Sequence, residues 1–403
     1  MTSKVYVYVK LIETNQPIIA GVLDFHEDRI DFRYAKSWLG NQFRYAFHPE
    51  LLPLIDTVFS SRELDGCLGV FRDSGPGAWG KEIIKRQYPN IGPADYLILS
   101  NNLLRIGAFR YAENRDAIFN EPNDEINLND VYEAIKAIEQ GLPLTEQQAR
   151  LLVQGSSMDG VRPKVFSKFD GQSWILKFPS KNDYDNKPIN ELIGMQLAIA
   201  CGIDTPNVRL IPLNDKKHVI SIERFDTDGV NTFPLMSAAS AMGYAGKETD
   251  KKDYRWFAQT LIRLSGNPQA DCESLFKRMA LNVMISNKDD HIYNQAMLLK
   301  TGKWQLSPVY DVVCGEGNRK NHAMTIGDQG TDGNLSNVLS AAGSFGFTET
   351  QASEIINEMI DIVSGWRQIV KDYIPQEEIK KVEWAILQPD IFHGYVITTK
   401  RKR

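Results

Sequence analysis

A carboxylate, an amide and a second carboxylate occur in turn within Ile285–Asp311, ISNKDDHIYNQAMLLKTGKWQLSPVYD. Asp289 and Asn294 have the spacing D-x-x-x-x-N, and Asp311 stands further on between apolar neighbours. Phosphoryl transfer asks for such a set. One carboxylate positions the attacking hydroxyl, and oxygen ligands hold the magnesium ions that bridge nucleotide phosphates. By itself D-x-x-x-x-N is equally the mark of a polar surface loop. The residues beyond Asn294 favour the chemical reading. Two strand-like runs, Gln295–Lys300 and Lys303–Leu306, flank the turn signal Thr301-Gly302 and lead through Ser307-Pro308 to Val309-Tyr310-Asp311. Of the two adjacent acids, Asp289 is expected to matter and Asp290 to matter far less, so that Asp290→Asn is the milder substitution.

Such a site needs a lysine to neutralise phosphates and a loop whose backbone can approach them. Gly155–Lys164 is a glycine-bearing loop that includes Ser157 and Gly160. A strand Val165–Lys168, a tight Asp170-Gly171 turn and a strand Ser173–Phe178 come next, the last carrying Lys177 among apolar neighbours. Lys177 is either a phosphate ligand or an ordinary solvated lysine. Glu191 opens a helical stretch, Asn190–Ala200. It is either the acid that fixes such a lysine or an acid favoured there by the helix dipole. Strands at Val208–Pro212 and His218–Ile222 end in Glu223-Arg224-Phe225-Asp226. Helices are expected over Lys252–Leu264, Asp271–Met284 and Thr348–Tyr373, and glycine-rich loops from Gly315 to Gly333 come after Asp311.

Upstream, Val5–Val9, Pro17–Leu23 and Arg29–Tyr34 read as strands of a small antiparallel sheet, with one more at Gly107–Tyr111. The acidic, turn-rich Glu113–Asp130 is the best linker and places a domain boundary near residue 125. Two short helices come after it, and Thr145 with Gln148 forms a capping box on the second. A net charge of −5 argues against general affinity for nucleic acid or anionic membrane. Cys67, Cys201, Cys272 and Cys314 have no metal-ligand spacing and suit a reducing cytoplasm.

Together these segments resemble the HipA family of bacterial serine/threonine kinases, the toxin halves of HipA–HipB toxin–antitoxin pairs. The resemblance rests on Pro76-Gly77-Ala78-Trp79-Gly80, S-x-x-G-x-x-P-K from Ser157 to Lys164, I-L-K-F-P around Lys177, and Asn190-Glu191. It continues through E-R-F-D from Glu223 to Asp226, D-x-H-x-x-N from Asp289 to Asn294, and S-P-x-Y-D ending at Asp311. It implies an α+β, protein-kinase-like bilobal fold. Residues 1–125 would form an additional N-terminal β-rich subdomain, 126–226 an N-lobe-like region and 227–403 a mostly helical C-lobe-like region.

The resemblance also implies ATP and Mg2+ as cofactors. Asp289 would be the catalytic acid, and Asn294 and Asp311 the magnesium ligands. Lys177 would contact the ATP phosphates, with Ser157, Gly160, Lys164 and His291 around the nucleotide. Glu223 and Phe225 would hold adenine through backbone groups, with Asp226 near the ribose. Ser157 falls on the serine that family members autophosphorylate, which ejects its loop. The implied partners are a protein substrate, aminoacyl-tRNA synthetases being the targets known in the family, and a small helix-turn-helix antitoxin of HipB type. DNA would be reached only through that antitoxin, and no membrane is involved. The other reading is a kinase-like binding or scaffold module with little catalysis.

Overall fold

The structure, a computed structural model, describes residues 3–10, 16–102, 104–119, 127–154, 162–169, 171–181, 183, 186–214, 217–228, 231–248, 251–316 and 321–397. The chain gathers into two compact units, each assembled from separate stretches. The first comprises Met1–Asn182, Ile211–Lys247 and Leu298–Gly302. The second comprises Asp183–Leu210, Glu248–Met297 and Lys303–Arg403.

In the first unit, alternation of apolar residues builds an antiparallel sheet from β1 (Lys4–Val9), β2 (Ile18–Phe25), β3 (Ile30–Tyr34), β4 (Val58–Ser61) and β5 (Phe109–Ala112), ordered β4-β3-β2-β1-β5. Val5, Val7 and Val9 are fully buried on one face of β1, as a period of two requires. The edge strand β4 escapes the sequence reading because it is short and has no fully buried residue.

A second sheet holds β6 (Lys164–Phe169), β7 (Gln172–Lys177), β8 (Val208–Pro212) and β9 (His218–Glu223) in the order β6-β7-β9-β8. One of its faces packs on two helices, Leu128–Glu139 and Glu146–Gln154. Val165, Trp174, Leu176 and Val219 meet Val131, Ile135, Ile138 and Leu152 there. Asn127 caps the first helix by accepting the Asn129 N–H at 3.0 Å. The second has the expected capping box: Gln148 N–H donates to Thr145 Oγ1 at 3.2 Å, and Thr145 N–H donates to Gln148 Oε1 at 3.0 Å.

The second unit is mainly helical. Its central helix, Pro268–Met284, packs against Tyr254–Leu264 and Glu349–Ser364. Phe276 sits edge-on to Phe345 and Phe347, with centroids 5.3 and 5.5 Å away. The single helix expected over Thr348–Tyr373 is interrupted at Gly365, a weak helix former, which closes Glu349–Ser364 and opens Trp366–Val370. After the central helix the chain forms two more strands, Ala296–Lys300, whose residues from Leu298 on are counted with the first unit, and Lys303–Leu306. Their connection, Thr301-Gly302, has positive φ at both residues, as a tight two-residue turn demands. Among the described residues no helix is long and apolar enough to cross a membrane.

Candidate active site

The helix Pro268–Met284 ends where its apolar run meets Ser286, a non-glycine residue with φ +54. The chain then enters the loop that carries Asp289. The Asp289 carbonyl accepts the His291 N–H at 2.9 Å and Asn294 Nδ2 at 3.0 Å. Asn294 thus spends its amide nitrogen on the backbone of Asp289. The intervening His291 has a buried Nδ1 with no hydrogen-bond partner among the described residues.

Residues 310–316 run beside this loop. Gly315 N–H donates to the Ile285 carbonyl at 3.0 Å, Lys288 N–H to the Glu316 carbonyl at 2.8 Å, and the Tyr310 hydroxyl to the Tyr293 carbonyl at 2.7 Å. Asn287 Nδ2 reaches the Asp311 carbonyl at 3.5 Å. Asp311 itself has φ +59, a conformation that costs most side chains about 1 kcal/mol or more and that Asp tolerates better than most. The structure therefore brings Asp289, His291, Asn294 and Asp311 together in one unit.

Asp290 is not the incidental acid that the sequence suggests. It is buried at 1% exposure, and three donors converge on its carboxylate. The Tyr254 hydroxyl donates to Oδ2 at 2.9 Å, His322 Nδ1 lies 3.0 Å from the same oxygen, and Ala323 N–H donates to Oδ1 at 3.0 Å. A carboxylate only accepts, so His322 carries its proton on Nδ1 here. Burial, with the Asp290 charge beside it, pushes the Tyr254 hydroxyl well above its usual range and keeps it a donor. Nothing in the D-x-x-x-x-N spacing separates a buried acid from a half-buried neighbour; Tyr254 and His322 lie too far along the chain.

Lys164, Lys177, Glu223, Phe225 and Asp226 belong to the other unit. The register sets Lys164 directly opposite Lys177, so both lysines share one sheet face. Ile220, opposite Lys177 on β9, shares it too. Both lysines are half-buried. Like charges directly opposite one another are unfavourable unless other groups offset them. Elsewhere on that face Phe166 and Ile175 pack with Leu104 and Ile106, and the Arg224 guanidinium lies 4.5 Å from the Phe166 ring centroid.

Glu223 closes β9 opposite Trp174, and Phe225 is half-buried just beyond. The Asp226 side chain, expected near a ribose, is committed elsewhere. Arg224 grips its carboxylate with Nε at 3.0 Å and Nη2 at 2.7 Å, and Gly107 N–H donates at 2.7 Å. Burial alone would raise this carboxyl, but Arg224, the Gly107 N–H and Arg110 outweigh it and hold it below the usual carboxylate range. Arg110 meets the opposite balance: burial first, then Arg105 and Arg224, push its guanidinium down to about 9. Ser157 and Gly160 lie outside the described residues.

Among the described residues no group of three or more His, Cys, Asp or Glu gathers as a metal cage. One carboxylate and one amide oxygen, Asp311 and Asn294, instead resemble the sparse protein share of a magnesium site. Such a site takes its remaining ligands from phosphates and water.

Comparison with known proteins adds three findings. A family model described as HipA-like C-terminal domain matches residues 156–366. A Sinorhizobium fredii protein, named as the candidate kinase Y4dM, is 28% identical over 157 residues, which covers 36% of this chain and 37% of that protein. The HipA chain of a Shewanella oneidensis complex of HipA, HipB and operator DNA superposes with a TM-score of 0.71 at 19% identity, over 94% of each chain. At that identity the likeness is one of fold, a mixed α/β, kinase-like one.

Proposed function

The chain belongs to the family of HipA-like C-terminal domains, and from that premise we propose that it is an ATP-dependent serine/threonine protein kinase. The observation that carries the proposal is the loop of the second unit. Asn294 is pinned to the Asp289 carbonyl at 3.0 Å, and the Asp311 segment is bonded alongside. In the reaction, Asp289 orients the substrate hydroxyl and takes its proton as the hydroxyl oxygen bonds to the γ-phosphorus. The bond from that phosphorus to the bridging oxygen of ADP breaks. Asn294 and Asp311 would hold Mg2+, which neutralises charge on the phosphates. The orphaned His291 Nδ1 fits the same use, since a phosphate oxygen or a metal-bound water would satisfy it.

Nucleotide is held by the rest of the proposed set. Lys177 and Lys164 supply positive charge for the phosphates from their shared face, with Ser157 and Gly160 in the preceding loop. Glu223 and Phe225 hold adenine by backbone groups. Residues 1–125 form the β-rich N-terminal domain of this reading, 126–226 the nucleotide-holding region and 227–403 the region with the catalytic loop. Ser157 is the proposed autophosphorylation site. Its phosphate would bring about −1.5 to −2 charge toward the triphosphate and favour an ejected loop.

The partners belong to the proposal as well. They are a protein target of the aminoacyl-tRNA synthetase class and a HipB-type antitoxin that carries the pair to DNA, in a cytoplasmic setting. The test is transfer of radiolabel from γ-labelled ATP with and without Mg2+. Wild type should label itself or an added target only with the metal, and Asp289→Asn and Asp311→Asn should not. Equal labelling by wild type and Asp289→Asn would remove the assignment.

A further inference from the structure

The hydrogen bonds around Asp290 form a directed chain. Asn287 Nδ2 donates to Asn282 Oδ1 at 3.0 Å, Asn282 Nδ2 to the Tyr254 hydroxyl at 3.0 Å, and Tyr254 to Asp290 at 2.9 Å. From the other side, His322 and the Ala323 N–H end on the same carboxylate. Every member is buried except Ala323, and each bond has one sensible direction because Asp290 is the terminal acceptor. The chain starts at Asn287, two residues before Asp289. It ends on the residue immediately after Asp289. Its outer anchor, His322, comes from the segment downstream of Asp311. That segment is itself built: Ala323 N–H donates to the Lys288 carbonyl at 3.1 Å, and His322 N–H to the Thr331 carbonyl at 3.0 Å. The His322 ring also lies where a Cβ on Gly333 would stand, with Cδ2 and Nε2 2.7 Å from that point, so the ring and the Gly333 backbone are in close contact.

We propose that Asp290 is the positioning residue of this site: a buried acceptor that locks the loop bearing Asp289 and Asn294 to the segment downstream of Asp311. It touches neither substrate nor metal and acts by fixing where Asp289 and Asn294 stand. The substitution Asp290→Asn shows why the carboxylate matters. An amide nitrogen at the Oδ1 position faces the Ala323 N–H, donor against donor. At the Oδ2 position it faces Tyr254, whose oxygen already accepts from Asn282, and His322, which must then move its proton to Nε2. Neither orientation satisfies the whole cluster, so the loop is freed on at least one side.

The inference rests on the kinase reading for its activity arm only; hydrogen exchange tests it independently. On the full chain, Asp290→Asn should raise amide exchange at least tenfold in peptides covering 286–294 and 321–325. Peptides from the N-terminal sheet, residues 4–34, should be unchanged. Where Mg-ATP turnover is measurable, kcat should fall at least thirtyfold with KM for ATP within threefold. Tyr254→Phe removes one donor and leaves the carboxylate the other two. It should give the same local exchange pattern at smaller amplitude, and it decides the matter if Asp290→Asn does not fold. Unchanged exchange in the two loop peptides, or an equal rise throughout the chain, would overturn the proposal in either variant. A wild-type protein without phosphoryl transfer would instead end the kinase reading and leave the exchange result standing.

Discussion

Gly194→Ala probes how the helix Lys187–Ala200 meets the segment after Asp311. On an exposed helix the change stabilises by about 1 kcal/mol, because alanine is the better helix former. Here the added methyl would run into the Val312 carbonyl oxygen, with the carbonyl carbon at 2.8 Å and Val312 Cγ1 at 3.1 Å. A backbone carbonyl cannot rotate aside as a side chain does. This one is also tethered, because Cys314 N–H donates to the Asn190 carbonyl at 3.1 Å and Gly315 N–H to the Ile285 carbonyl at 3.0 Å. The segment must therefore shift as a body. Overpacking of this kind costs roughly 1–3 kcal/mol, and the helix gain offsets about 1 kcal/mol of it.

The net loss in unfolding free energy from urea titration should then be about 1 kcal/mol. The larger effect falls on Asp311, one residue before the clash. A misplacement approaching 1 Å at a catalytic group costs on the order of 100-fold. Mg-ATP turnover should accordingly fall roughly 10- to 100-fold. A variant as stable as wild type, with unchanged turnover, would refute the reasoning.

Lys177→Ala should weaken ATP binding in calorimetry far more than adenosine binding, since its partner would be the phosphates; equal losses would make the lysine structural. Arg224→Met should destabilise the fold by about 3–5 kcal/mol, the usual cost of leaving a buried charge unpaired. The Asp226 contribution is full above its unfolded pKa of about 3.9 and is lost as pH falls below that toward the depressed native value. Asp226→Asn should therefore flatten the acid limb of the stability profile, measured by thermal melts between pH 3 and 7. Finally, burial pushes the thiols of Cys201 and Cys272 up to about 12 and about 11, and that of Cys314 upward as well. With Ellman's reagent at pH 8, the native chain should expose at most the half-buried Cys67, and all four thiols after unfolding.

Much of this architecture is legible in the residues because it is local. The period of two in Val5–Val9, the Thr145/Gln148 box and the Thr301-Gly302 turn each depend on a few adjacent side chains. The proposed set Asp289, Asn294 and Asp311 is drawn from the same kind of local signal, spacing along one stretch. What escapes is set at long range. Asp290 differs from Asp289 only by what surrounds it, and its partners Tyr254 and His322 are 36 and 32 residues away. Asp226 is expected near a ribose, and nothing near it in the sequence shows that Gly107, 119 residues earlier, donates to its carboxylate. Gly194 lies against the Val312 carbonyl, 118 residues on, which nothing in its own helix announces.

The packing behind β6, β7 and β9 bears on modularity. The stretch by which the family is recognised begins at residue 156, yet the core on that sheet face draws Trp79, Ile83, Val131, Ile135 and Leu152 from before it. A fragment cut at residue 156 would bare Val165, Leu176, Phe178 and Val219. Each is worth about 1.5–3 kcal/mol when fully buried. Together they approach the roughly 5–15 kcal/mol that holds a whole domain folded. The recognisable segment is thus not a self-sufficient folding piece, and any exchange of parts between relatives has to carry the helices of residues 78–154 along with it.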